Sequence, residues 1–300
     1  MFNIRTVIAS LALLGLVSCE KPVNTVEGPK VDPKLVVSCF ISPQGGRIDL
    51  YLSKSIPVFG VQSTDPPPPI ENATVIISDG VNSAHLPYTP IGDRYSISAN
   101  LFPVVAGKTY SLKVSAPGFK EVTAECTVPE AGFKGLSVSV DSSMSTGNPW
   151  QPAQRQYHIK VNWTDMSGQK NYYRTTADIE WQLVDTNGNY SSAESDLNMV
   201  SGYNENHAGV IDDKDRDGNS FTVEGIAFLS NTLNPTTIAI GQHITVYMLS
   251  TDEHYFKYHE SISRYQGDNP FAEPVLTYNN IKNGLGIFAA YNEETKEIDL

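Results

Sequence analysis

Ala106-Gly107-Lys108-Thr109-Tyr110-Ser111-Leu112-Lys113-Val114-Ser115-Ala116-Pro117-Gly118-Phe119-Lys120 decides the fold class. Tyr110, Leu112 and Val114 alternate with Ser111 and Lys113, between one glycine turn and another. Successive side chains of a strand point to opposite faces, so a period of two gives one apolar and one polar face. Nothing in the stretch repeats at the three-to-four spacing of an amphipathic helix. The same period runs outward in both directions. Ile48, Leu50 and Leu52 alternate with Asp49, Tyr51 and Ser53, and Ala73, Val75 and Ile77 with Thr74 and Ser78. Asp79-Gly80 supplies a turn, and Pro66–Pro69 a polyproline loop where no ladder can continue. Short half-buried strands separated by such turns predict two packed sheets over residues 35–130.

A second β-rich unit is expected over 131–300, beginning after the Pro129-Glu130 break. Its first loop runs through Pro149 and Pro152 and reads as polar. Tyr157, Ile159, Val161 and Trp163 alternate with His158, Lys160 and Asn162; a turn follows at Asp165–Gln169, then a strand over Tyr172–Val184 and a turn at Asn187-Gly188. Further strands are read at Ser220–Leu229 and His243–Ser250. One helix is expected near 252–266. Ser250-Thr251-Asp252-Glu253 has capping-box spacing, Tyr255, Tyr258, Ile262 and Tyr265 share a face that a surface helix must bury, and Gly267 ends it. The predicted class is therefore all-β with one helix in the C-terminal half.

The amino terminus carries a different signal. After Arg5, an apolar run from Val7 to Val17 is too short to span a bilayer, and it closes on Leu16-Val17-Ser18-Cys19. Residues 1–18 read as a signal peptide. The closing residues resemble the bacterial lipobox, which implies cleavage before Cys19 and lipid on its sulfur. Residues 19–34, with Pro22, Pro29 and Pro33, read as the anchor and an extended tether. No later segment is long and apolar enough to span; even Gly225–Leu249 is broken by Asn231, Asn234, Pro235, Gln242 and His243.

The chain carries 21 basic and 33 acidic residues, net −12; losing Arg5 with the signal leaves 20 against 33, or −13. Phosphate binding needs a basic stripe, and the sequence has no basic runs, so nucleic acid is not an expected partner. If Cys19 is acylated, Cys39 and Cys126 remain as an even pair in an oxidising compartment. Cys39 shares parity with Leu35, Val37 and Ile41, and Cys126 with Val122, Ala124 and Val128, so both thiols are expected in one core. A disulfide between them is the expectation, with two buried free thiols as the alternative.

Two resemblances add to this reading. The stretch over Ala106–Lys120 is similar to the last hairpin of immunoglobulin-like and carboxypeptidase-regulatory-like sandwiches, which implies a fold and no activity. Near the carboxyl end, Asn269-Pro270-Phe271-Ala272-Glu273-Pro274 precedes Tyr278-Asn279-Asn280-Ile281-Lys282-Asn283-Gly284-Leu285-Gly286-Ile287-Phe288-Ala289-Ala290-Tyr291. With Asp165, Asn171-Tyr172-Tyr173, the Cys39 strand and Asn72-Ala73-Thr74-Val75, this resembles a Bacteroidota lipoprotein family known as domain of unknown function 4249 (DUF4249). The resemblance implies an outer-membrane or surface lipoprotein, in organisms where such proteins often work beside TonB-dependent transporters, and it brings no catalytic residues. Gly284 and Gly286 themselves suggest a tight turn or close backbone approach, with Ile287-Phe288 entering a final core strand.

Among chemical motifs, Asp213-Lys214-Asp215-Arg216-Asp217-Gly218 with Glu224 fits the ligand spacing of a calcium loop. Calcium is the possible cofactor on this reading, held by Asp213, Asp215, Asp217 and Glu224. Against it, Phe221, Val223, Ile226 and Phe228 suggest a strand that carries Glu224 away, leaving a solvated Asp-Gly hairpin. Gly284-Leu285-Gly286-Ile287-Phe288-Ala289 mimics a dinucleotide fingerprint but leaves no room for a crossover helix. His254 and His259, five apart, fall on different faces of a helix and are not expected to share a metal. No nucleophile elbow, zincin or phosphate-loop motif occurs. The expected function is thus a non-enzymatic outer-membrane binding or accessory module. The rivals are a surface hydrolase on glycan or peptide drawing on Asp165, Asp178 or Glu180, and an adhesive protein with calcium-stiffened loops.

Overall fold

In the computed structural model the described residues are 32–56, 67–144, 146, 155–197, 199–200, 209–228, 237–264 and 276–300. The signal segment, Cys19, most of the tether, Pro66, Pro149, Pro152, Tyr265, Gly267 and the 269–274 motif lie outside them.

Seventeen strands are found among these residues, and the all-β class is what the structure shows. The first sandwich follows the period-two segments closely. Its lower layer uses β1 (Leu35–Ile41), β2 (Arg47–Lys54), β5 (Tyr88–Thr89) and β6 (Arg94–Ser98); its upper layer uses β3 (Thr74–Ser78), β4 (Ser83–Leu86), β7 (Thr109–Ser115) and β8 (Val122–Thr127). Leu35, Val37, Cys39 and Ile41 from one layer and Val75, Ile77, Tyr110, Leu112, Val114 and Cys126 from the other bury into one core. Burying each such aliphatic side chain favours folding by about 1.5–3 kcal/mol. The hydroxyls of the buried tyrosines are satisfied. Tyr95 donates to the Ile70 carbonyl at 2.7 Å, and Tyr110 accepts from the Val105 amide at 2.8 Å.

The second layered unit adds β9 (Phe133–Met144), β10 (Arg155–Asp165), β11 (Tyr172–Asp185), β12 (Tyr190–Leu197), β13 (Met199–Val200), β14 (Val210–Asp212), β15 (Ser220–Phe228) and β16 (Thr237–Thr251). The four-stranded sheet β13-β15-β10-β9 faces β11 and β16. Trp163 stacks on Phe221 at 5.5 Å and meets Tyr173 edge-on at 5.6 Å in the centre of this core.

Strand β17 (Leu285–Asp299) joins the two. Its residues up to Ala290 pair in parallel with β1, and Tyr291–Asp299 pair antiparallel with β16, so one nine-stranded sheet runs β12-β11-β16-β17-β1-β2-β6-β5, with β14 beside β11. Phe288 and Ala290 enter the first core, while Ile287 and Ala289 face the helix on the opposite side. This explains four consecutive buried residues where a one-faced strand would alternate. The glycine expectation is met physically. A Cβ on Gly286, at φ +108°, would lie 1.9 Å from the Val37 carbonyl oxygen, and one on Gly284 would lie 2.8 Å from Val122.

The helix among the described residues, α1 (Glu253–Ser263), packs over β17, β14 and β11. Its cap differs from the expectation. Ser250 and Thr251 still belong to β16, and the carboxylate of Asp252 caps the helix by accepting the Tyr255 amide at 2.7 Å. Glu253 then opens the helix and pairs with Lys257 at 3.1 Å, one turn on. Tyr255 and Phe256 are buried and Tyr258 is half-buried, but Ile262 is exposed. No helix among the described residues is long and apolar enough to cross a membrane.

Cys39 and Cys126 lie in the same core, as expected, and in this structure both are buried free cysteines. Burial pushes both thiols well above their usual pKa. The thiolate needed for exchange is therefore disfavoured at neutral pH.

Candidate metal centre

Strand β10 ends in Asp165, and the chain turns through Met166–Asn171 into β11. Strand β14 lies against the start of β11, with Tyr172 opposite Asp212, so the loop leaving β14 lies beside the β10–β11 turn. That loop is the Asp-rich stretch. It makes two successive turns, with the Arg216 amide bonded to the Asp213 carbonyl at 2.8 Å and the Asn219 amide to the Arg216 carbonyl at 2.9 Å. Asp215 at φ +63° and Gly218 at φ +75° take the left-handed conformations these turns need.

The loop is stitched to its neighbour through carboxylates. Asp165 accepts from the Gly218 amide at 2.6 Å and from the Asn171 side-chain amide at 3.0 Å. Asp213 accepts from the Asn171 amide at 2.8 Å, and Asp217 from the Gly168 amide at 2.8 Å. The Tyr173 hydroxyl lies against both Asp165 and the Gly132 carbonyl, and its single proton serves one of them at a time. Burial, and then contact with the Asp165 carboxylate, hold that phenol firmly protonated.

One oxygen from each of Asp165, Asp213 and Asp217 lies within 4.8 Å of the other two. Two ligands bound at about 2.4 Å to the same calcium ion are at most about 4.8 Å apart, so the spacing suits one hard cation. Asp165 and Asp213 are buried and Asp217 is exposed, giving a floor and an open mouth. Burial, and then the charge of Asp165, raise the pKa of Asp213 above its ordinary value. A cation would relieve both causes. The donor set is all carboxylate oxygen, the preference of calcium over zinc or copper.

The structure therefore brings together Asp213 and Asp217 of the expected quartet and adds Asp165. Asp215 is not in the group. Glu224 runs up β15, four residues beyond Ser220 and about 13 Å along the strand, where it is exposed and pairs with Lys160 at 3.5 Å. Linear spacing misses Asp165 because β14–β11 pairing recruits it; the only sequence trace is its place beside Asn171-Tyr172-Tyr173. The carboxylates of the hydrolase reading are not assembled with it. Asp178 lies five residues along β11 from Tyr173, about 16 Å at the rise of a strand, and Glu180 lies farther still. The two helix histidines have different neighbours. His254 contacts the Tyr278 hydroxyl at 2.8 Å, and His259 contacts Arg174.

No curated protein matches the chain. A family model described as a domain of unknown function, DUF4249, matches residues 20–297, so the chain belongs to that family.

Proposed function

We propose that the chain is a Bacteroidota lipoprotein, cut before Cys19 and held by lipid at the outer membrane. There it serves as a non-enzymatic binding or accessory module beside a TonB-dependent transporter. The observation that carries the reading is Leu16-Val17-Ser18-Cys19 behind Arg5 and a short apolar run. Two rigid β layers on a proline-bearing tether suit a presenting role, and an acidic mature chain with no phosphate-binding stripe suits protein or small-molecule partners. The test is a pull-down from outer membranes with the anchor intact. Recovery of a TonB-dependent transporter supports the reading, and repeated recovery of no outer-membrane partner contradicts it. In that oxidising compartment Cys39 and Cys126, which share one core, are proposed to close into a disulfide.

A second reading accompanies the first. The carboxylates of Asp165, Asp213 and Asp217 support a calcium site that ties the β14–β15 loop to the β10–β11 turn, stiffening one end of the second unit. Calcium titration calorimetry on the mature chain tests it, with an absence of heat above the Asp213→Ala background as the contrary result.

A further inference from the structure

Beside α1, away from the carboxylate loop, Arg174 of β11 reaches the helix. Its Nη1 donates to the Tyr255 hydroxyl at 2.7 Å. The same nitrogen lies 3.3 Å from both ring nitrogens of His259. The lone-pair directions of those nitrogens diverge in the ring plane, so one N–H cannot align with both; the contact is mainly a cation set against a ring. Phe40 of β1 stands behind, with ring centroids 5.4 Å from Tyr255 and 5.8 Å from His259. Tyr258 lies 6.0 Å from Phe40, and Tyr291 5.8 Å from Tyr255.

The carboxylate on this face is the half-buried Glu293, in register with Leu249 and Arg174, and it does not come within ion-pair distance of the guanidinium. Arg47, Arg94 and Arg264 each sit within 4 Å of a carboxylate, but among the described residues Arg174 forms no ion pair. Its Nε is sealed from solvent without an acceptor. Its Nη2 makes no hydrogen bond among the described residues, and the residue is half-buried, not fully sealed from solvent. A half-buried cation with donors unspent is unfavourable unless something accepts from it, and a carboxylate is the acceptor that fits a guanidinium best. His259 adds no second charge near neutral pH, because burial, and then Arg174, lower its pKa to about 4. Phe40, Tyr258 and Tyr291 are only partly buried and offer ring surface beside the charge.

We propose that Arg174 is the anion-binding group of a ligand site beside α1, taking a carboxylate whose planar apolar body packs on Phe40, Tyr258 and Tyr291. This gives the binding-module reading a ligand class. It is independent of the anchor, the transporter and the calcium loop, because it is measured on the purified mature chain alone.

The test is saturation-transfer NMR and calorimetric titration with benzoate, its neutral isostere benzamide, and acetate. Benzoate should bind at least about tenfold more tightly than benzamide, and Arg174→Gln should weaken benzoate by about tenfold or more. Tyr258→Ala, which leaves the guanidinium in place, should weaken benzoate and leave acetate unchanged. It also decides the matter should Arg174→Gln fail to fold. N-acetylphenylalanine presents the same chemistry as a peptide end, and whether it or benzoate binds tighter tells a peptide terminus from a free acid. Equal binding of benzoate and benzamide, or full benzoate affinity in a natively folded Arg174→Gln, would overturn the proposal, as would the absence of benzoate binding at millimolar concentration.

Discussion

Adding calcium to the purified mature chain should raise its melting temperature by about 2–5 °C, and Asp217→Asn should cut that rise to less than half. Three carboxylate oxygens within 4.8 Å of one another, one of them exposed, describe an open site resembling weak extracellular modules with Kd of about 10⁻⁴–10⁻³ M. At about 10 mM calcium the ratio of ligand to Kd is then about 10–100, which stabilises by about 1.4–2.7 kcal/mol. A chain of about 280 residues has an unfolding entropy near 0.6 kcal/mol per degree, giving the range stated. Asp217 is the cleanest perturbation because its one hydrogen bond in the site, from the Gly168 amide, can be accepted equally well by an asparagine oxygen. Its calcium-free melting temperature should therefore stay close to that of the parent. Differential scanning calorimetry with calcium, magnesium and chelator is the assay. A parent left unmoved by calcium, or equal rises in parent and Asp217→Asn, would exclude a calcium site at these three carboxylates.

Other expectations follow from single residues. Burial raises the pKa of Asp252 to about 7. Its folded form thus holds a proton that the unfolded chain has already released, and stability should fall as pH rises from about 4 through 7. Asp252→Asn keeps the helix cap and removes the ionisation, so its melting profile should be flatter than the parent's between pH 5 and 8; an unchanged slope would disprove the assignment. Gly286→Ala places a Cβ 1.9 Å from the Val37 carbonyl oxygen at a φ that alanine disfavours, and urea unfolding should show a loss of about 2–6 kcal/mol. Protein taken from the native envelope and unfolded in alkylating reagent should show Cys39 and Cys126 protected until reduction. Immediate alkylation of both would establish free thiols instead.

How much of this was legible in the sequence depended on how local the cause was. Tyr110, Leu112 and Val114 announce their strand because one face meets a core and the other meets water. Residues 287–290 carry no such alternation, since the first core covers one face and α1 the other. Their parallel pairing with β1, some 250 residues away, has no local signature. The helix shows in its aromatic spacing, but its cap falls at Asp252 because β16 holds Ser250 and Thr251 in the ladder beyond the point where capping propensity alone would release them. The Asp-rich loop shows its turn in the sequence, through Asp215 and Gly218. Asp215 and Glu224, which the linear spacing adds, stand apart from the group, and β-pairing brings Asp165 in from the side as its third carboxylate.

The central proposal is that this chain is anchored by lipid on Cys19, and intact mass spectrometry of the protein extracted from its native membrane tests it most directly. The expected result is an amino-terminal residue Cys19 bearing a diacylglyceryl thioether, with Glu20 next in sequence. A mature protein that begins elsewhere, or that keeps an unmodified thiol at position 19, would contradict the anchor and the accessory role built on it.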